Sequence, residues 1–396
     1  MNCDYDVLIV GGGLVGGSLA LALRDAPLRV AVVEAQTDAE RRASPAGDRA
    51  LALSRGTAQI LGGLGVWEAI APAAMAIRHI HVSDRGHFGK ARLHATEKGV
   101  DALGYVAVAR VIEDAISQKL NETPITRICP ARIIGLKAGR DSMCVMLREH
   151  GENINPTARL LVAADGGKST VRNLLGIEQD ARDYGQTAIV TEVTTRQDNQ
   201  FTAYERFTSS GPLAFLPLER RKSSVVWTLK TDDAAELLQQ GAAEFTASLQ
   251  KAFGHWLGEI ALAAKPQGFP LKLIRAEKMT DERVVLIGNA MHQIHPVAGQ
   301  GFNLGLRDAA LLAERIKTQA AFGEDVGAEG FLTRYAEARR LDLTRVIRFT
   351  DSLVRVFSTD FPPLALARNV ALIALDRIPA AKRLLARHAM GYGVRL

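Results

Sequence analysis

Residues 5–23 read YDVLIVGGGLVGGSLALAL, and the order of residue types in that stretch decides the fold. Tyr5–Val10 is an almost unbroken apolar run, as a strand buried on both faces of a parallel sheet requires. Glycines turn the chain, and a helix is predicted from about 14 to 25. A second apolar run, 28–34, predicts a parallel partner strand, so 5–34 makes a right-handed βαβ unit. Within it, Gly11-x-Gly13-x-x-Gly16 carries the chemistry. Gly11 allows the tight turn, Gly13 lets backbone approach a pyrophosphate, and Gly16 permits close packing of helix on strand. Glu34 ends the second strand eighteen positions past Gly16. A carboxylate there can accept both hydroxyls of an adenosine ribose, and its charge disfavours a 2′-phosphate.

A second loop of related design lies at the other end of the chain, in RVVLIGNAMHQIHPVAGQGFNLGLRDAA (283–310). An apolar strand, Val284–Ile287, is followed by Gly288-Asn289, which places an amide just past a strand end. Pro296 stiffens the loop, and Gly299 and Gly301 lead into a helix expected to begin near Asn303. Such a start directs N–H donors and the positive end of the helix dipole at a ligand, and reduced flavin carries negative charge near N1 and O2. Two loops of this kind at opposite ends of one chain suggest one long cofactor between them. A third signal, Asp165-Gly166-x-x-Ser169-x-x-Arg172, follows the buried strand LLVAA; on its own an acidic residue there is equally a turn or helix N-cap. His292 and His295 sit three apart in a loop with no convergent Cys or carboxylate, so no metal site is expected.

At 396 residues the chain is long enough for two subdomains or more. No apolar run reaches the roughly 18–20 residues that span a bilayer. The N-terminal run lacks a basic flank and is not read as a signal peptide. Three isolated cysteines fit a reducing compartment without disulfides. From Arg345 onward there are nine Arg/Lys against three Asp, so this tail carries the whole formal charge of +6. Attraction to an anionic surface would be local to it.

The expected architecture is α/β. A Rossmann-like dinucleotide domain (1–75, 100–185, 278–345) carries an inserted antiparallel-sheet domain (76–99, 186–277) and a helical C-terminal region (346–396). Residues 105–120 read as strand then helix, 125–165 as hairpins ending in a buried strand, and 186–230 as period-two strands. Helices are expected at about 233–253, 303–320 and 328–356. Pro362-Pro363 is expected to break the chain before a last helical region, about 364–390.

Together the three motifs resemble the aromatic hydroxylase family of FAD-dependent monooxygenases. VAGQGFNLGLRD, HVSDRGHFG (81–89), YERFTSSGPLAFLPL (204–218) and SSVVWTL (223–229) look like its ubiquinone-biosynthesis branch, most like the members acting on 2-polyprenyl-6-methoxyphenol. Asn289 fits that branch, since most of the wider family has Asp there. The resemblance implies that Gly11, Gly13, Gly16 and Glu34 hold the ADP half of FAD. Asp165 and Gly166 would contact its centre, with Arg172 bracing their loop. Asn289 would hold the ribityl chain, and Gly299, Gly301, Phe302, Asn303 and Leu304 would back the isoalloxazine. Arg49 and Arg110 would lie near the cofactor or, equally, form surface salt bridges. Pro296 would shape the flavin face, where a backbone carbonyl receives the phenol. Phe207, Leu213, Phe215, Leu216 and Trp227 are candidates for the far wall of the substrate pocket or for ordinary sheet core.

The implied reaction reduces FAD with NAD(P)H or another transient donor and adds O₂ to give a C4a-hydroperoxide. This oxygenates the ring carbon para to the phenol hydroxyl, giving a 1,4-benzoquinol. The same chemistry at another ring position or on another phenol, and a non-catalytic FAD-binding subunit, are the alternatives. The implied setting is cytoplasmic, with a polyprenylphenol substrate and a ubiquinone-biosynthesis complex as partners and no nucleic acid. The basic tail is either a solvated cap on the FAD domain or a contact with the inner face of the bacterial cytoplasmic membrane.

Overall fold

Tyr5–Val10 forms as a strand at the middle of a nine-stranded sheet, with Val30–Val33 and Thr157–Ala163 parallel on either side. Thr126–Ile128 extends the parallel set past Val30–Val33, and Val284–Leu286 extends it past Thr157–Ala163. The structure, a computed structural model, describes residues 3–294, 299–357, 362–378, 381–383, 386–387 and 390–391. Alternation divides the central strand between two cores. Val7 and Ile9 pack under the helices Leu14–Leu23, Ala109–Leu120 and Gln300–Ala321, while Leu8 and Val10 pack with Val145, Leu147 and Val171. Both sets are almost wholly removed from water, which is why the strand carries no polar alternation.

Most of the chain between 164 and 283 is an excursion from this sheet that builds a second nine-stranded sheet; only Thr280–Asp281 pairs back onto the first, antiparallel to Val284–Val285. The spine of the second sheet is Gln179–Thr195, seventeen residues long. This strand begins beside Ala276 and ends beside Ile260, with an irregularity between Asp183 and Gln186. Lys222–Lys230, Gly211–Glu219 and Thr202–Thr208 follow as an antiparallel meander. His79–Asp84 then adds in parallel to Thr202–Thr208, and Lys90–His94 closes that edge. A small antiparallel sheet of Ala50–Ser54, Gly104–Val108 and Met75–Ile77 lies between the two large ones.

Three boundaries differ from expectation. The helix expected over 233–253 is two, Thr231–Gln239 and Ala242–Phe253, because Gly241 caps the second in an extended conformation. The late helix begins at Gln300, three residues before Asn303. The last helix begins at Pro362, since proline at a first helical position loses no hydrogen bond. The tail touches the FAD domain near its end, where the Met390 carbonyl accepts the Gly56 N–H at 2.9 Å, but the last helix lies elsewhere. It lies on the His79–His94 hairpin, where Arg368 pairs with Asp84 at 2.7 Å and Asp376 accepts the Arg92 N–H at 2.8 Å.

Candidate functional site

The three sequence motifs converge at one edge of the parallel sheet. Gly11 has φ of +103°, and a methyl group there would lie 2.5 Å from the Ala164 carbonyl oxygen, so the first turn is pressed against the Asp165 loop. A methyl on Gly16 would meet the Gly11 oxygen at 1.9 Å, which is the close helix–strand contact expected of it. Val15, on the following turn, packs on Gly288 and Gly305, so the helices after the first and third motifs touch directly. Gly13 caps the Leu14–Leu23 helix with no side-chain hydrogen bond and no acidic residue in the first turn, and a methyl there would meet nothing within 4 Å. Glu34 fixes this turn from the side: one carboxylate oxygen accepts the Gly12 N–H at 2.8 Å, the other the Gln36 N–H at 2.9 Å.

Asp165 divides its two oxygens. One accepts the N–H groups of Thr170 and Val171, which is the capping role, and the other is buried with no partner among the described residues. Gly166 beside it has φ of +84° and open space where a side chain would be. Arg172 is buried, and its guanidinium donates to the carbonyls of Gly167 and Ala290 at 2.8 Å each. It thus ties the second motif to the Gly288–Ala290 turn, on which Asn289 is exposed.

The start of the Gln300–Ala321 helix is held by Asn303. Its side-chain N–H₂ donates to the carbonyls of Ala52 and Gly299, and its oxygen accepts the Ser54 N–H and the Thr57 hydroxyl. Both donors and both lone pairs of the amide are thus used inside the protein, so Asn303 can present only backbone to a ligand. Gly299 has φ of +60° and a methyl there would sit 2.7 Å from Ala52 Cβ. Gly301 faces open space. Phe302 is half-buried and Leu304 fully so, packed into the sheet core.

Behind this helix lies a charge cluster that the sequence motifs do not announce. Asp308 accepts the Gly288 N–H at 2.9 Å, His292 Nε2 at 2.7 Å and the Arg339 guanidinium. Arg339 also donates to Asp342 at 2.7 Å, and Arg307 to Asp342 at 3.2 Å. Burial pushes the Asp308 carboxyl up, but Arg339, His292 and the Gly288 N–H outweigh it and hold it down at about 2. The one sequence hint is Asp308 falling among the buried helical positions Leu304, Leu306, Ala309 and Leu312.

The remaining candidates separate. Arg110 holds the loop before Arg49, donating to the carbonyls of Arg42 and Ser44 and pairing with Asp48 at 2.6 Å. Arg49 is exposed and makes no side-chain hydrogen bond or ion pair among the described residues. Pro296 and His295 lie outside the described residues. Leu213, Phe215 and Trp227 are not pocket wall. They face the helices of residues 231–253 in a closed core, with Phe215 stacked on Phe253 at 3.8 Å between ring centroids. Phe207 and Leu216 are on the opposite face: Leu216 packs toward Ala50 and Val106, and Phe207 toward Ala91 and Leu372. Among the described residues no group of three or more His, Cys, Asp or Glu could hold a metal.

Residues 4–350 match the family model described as FAD binding domain. The ubiquinone hydroxylase UbiL of Rhodospirillum rubrum is 38% identical over 98% of this chain and 89% of its own. The 3-demethoxyubiquinol 3-hydroxylase of Escherichia coli is 33% identical over 98% of this chain and 99% of its own. The chain belongs to the FAD-dependent aromatic hydroxylases, in their ubiquinone-biosynthesis branch. Its fold is theirs as well: the p-nitrophenol 4-monooxygenase PnpA of Pseudomonas putida superposes with a TM-score of 0.81 over 100% of both chains, at 20% identity.

This flavoprotein monooxygenase uses FAD, with O₂ and NAD(P)H or another transient electron donor as co-substrates. The residues present fit that cofactor. The uncapped helix start at Gly13, the partnerless Asp165 oxygen and the empty spaces at Gly166 and Gly301 are polar or sterically open features that no other described residue fills.

Proposed function

We propose that this protein hydroxylates the aromatic ring of a polyprenylated phenol, converting 2-polyprenyl-6-methoxyphenol to the 1,4-benzoquinol in ubiquinone biosynthesis. The observation that carries the reading is full-length similarity to ubiquinone hydroxylases together with a cofactor edge in which all three motifs meet. On this reading Gly11, Gly13, Gly16 and Glu34 hold the ADP half of FAD, and Asp165 and Gly166 its centre. Asn289 holds the ribityl chain, and the backbone from Gly299 to Leu304 lies behind the ring system. Bound FAD supplies the activation of O₂ and delivery of one oxygen atom. The chain orients the phenol, keeps water from the reacting centre and places helix N–H groups near the flavin's developing charge. Electron release from the phenol oxygen makes the para carbon the nucleophile.

The E. coli relative's name specifies a 3-hydroxylase, which favours hydroxylation at another ring position as the second reading. Deleting the gene in its own host under air and weighing the accumulated prenylated compound separates them. Accumulation of 2-polyprenyl-6-methoxyphenol supports the first reading, and a demethoxyquinol the second. Unchanged ubiquinone would remove both.

We also propose that the substrate is collected from a membrane surface, with partner proteins of the same pathway. The last helix presents Val370, and Ile378 follows its final residue, the exposed Arg377; the two apolar side chains are 54% and 50% exposed. Apolar anchors next to basic side chains suit an anionic bilayer surface. Among the described residues no helix is long and apolar enough to cross one.

A further inference from the structure

The second sheet has one face closed by the helices of residues 231–253 and one turned toward the FAD domain. Along Thr202–Thr208, Tyr204 and Arg206 take the closed face, where Tyr204 meets the edge of Phe253 at 5.5 Å and Arg206 lies over Trp256 at 4.7 Å. Ala203, Glu205 and Phe207 therefore stand on the other face. Ala203 packs there with Ile77 and Val106, whose small sheet also carries Ala52, the residue against Gly299 of the flavin loop. Glu205 thus occupies the wall opposite the cofactor edge.

Its surroundings are unusual for a carboxylate. Its cross-strand neighbours are Val82 and Ala214, and it makes no hydrogen bond or ion pair among the described residues. It is partly buried, and burial alone raises the carboxyl to about 7. Charged groups on this face include Asp84, in register with Phe207, and Arg368, already paired with Asp84. The Glu329–Phe357 helix, which touches the Gly211–Glu219 strand, adds Arg345 and Arg348, both exposed. Leu216, Val226 and Ala214 complete an apolar wall around the carboxylate.

A partly buried carboxylate set on an apolar wall without a partner needs a hydrogen-bond donor. A phenol with a hydrocarbon tail offers one donor on an apolar body. We infer that Glu205 receives the phenolic O–H of the substrate and takes up its proton as the ring is hydroxylated, an inference that rests on the phenol reading above. The phenol O–H bond breaks and an O–H bond forms on a carboxylate oxygen. The electron pair left on the phenol oxygen is donated into the ring, and O₂ remains the oxidant of the established reaction. A carboxyl titrating near neutrality is matched to that transfer.

The test uses the FAD-loaded protein and a fluorinated 2-methoxyphenol with a short prenyl chain, whose own hydroxyl ionises above the range studied. Its affinity is measured by fluorine NMR and calorimetry between about pH 5 and about pH 9, across the range in which a raised carboxyl titrates. Affinity is expected to rise about tenfold as pH passes the Glu205 titration, because a carboxylate accepts a stronger hydrogen bond than a carboxyl. Glu205→Gln should bind the probe without pH dependence, with kcat about a hundredfold lower and FAD content unchanged. Glu205→Asp should restore the pH dependence. Flat affinity in the unaltered protein, or a Gln variant that binds and turns over like it, would overturn the inference and leave the phenol reading standing. Failure of the unaltered protein to bind any prenylated phenol would overturn both.

Discussion

Methyl groups distinguish the jobs of the glycines. Gly13→Ala has φ of −71° to accept and no atom within 4 Å to displace. The FAD-free protein should lose no more than about 1 kcal/mol, while FAD affinity falls tenfold or more, because the new methyl occupies the pyrophosphate's approach. Gly16→Ala should instead prevent folding, since its methyl cannot coexist with the Gly11 oxygen. Thermal melts with and without FAD, beside a flavin-fluorescence titration, check both. Asn303→Asp keeps the acceptor but turns charge on the carbonyls of Ala52 and Gly299; a loss of about 3 kcal/mol is expected in denaturant melts. The glycines were legible in sequence because their role belongs to the backbone and follows from position in a strand–turn–helix. Leu213, Phe215 and Trp227 were not. Alternation tells which side chains share a face of a sheet, and says nothing of which face a later helix will cover.

At the level of elements, the strands and helices that carry the cofactor motifs follow from their apolar periods, and the order 126–128, 30–33, 5–10, 157–163, 284–286 follows from right-handed crossovers. What periodicity could not reveal is the tie between the Gln300–Ala321 and Glu329–Phe357 helices. Asp308 and Arg339 are ordinary charged residues in sequence, and only tertiary packing makes them a buried cluster beneath the Gly288 turn. Asp308→Asn leaves Arg339 facing a neutral amide, and a cost of about 3–5 kcal/mol is expected, with earlier loss of flavin on heating. The acid limb follows from the same group. The carboxyl is depressed in the folded chain, so its stabilisation is complete above the unfolded value near 3.8 and is lost as pH falls through about 2. Flavin release on acidification should therefore have a component between those two values that Asp308→Asn lacks.

Across the whole molecule, Gln179–Thr195 runs from the cofactor half into the centre of the second sheet without interruption by a linker. Unfolding followed by flavin fluorescence and by far-ultraviolet circular dichroism is expected to give coincident transitions, and separate midpoints would show two independent units. At the surface, flotation with anionic vesicles should be strong at low salt and reduced about tenfold by Val370→Asp with Ile378→Asp, turnover of a short-chain phenol being unaffected. Equal flotation of both proteins would remove the membrane-docking reading. One small strand carries a further consequence. His292 and Gln293 pair with Arg275 and Ile274 of the second sheet, only a few residues after Val284–Leu286 has left the first. The segment leading to the flavin helix is thus sewn into the substrate wall, and wall and cofactor bed share one suspension. A change in the shape of the pocket far from the isoalloxazine should be felt as a change in flavin redox potential.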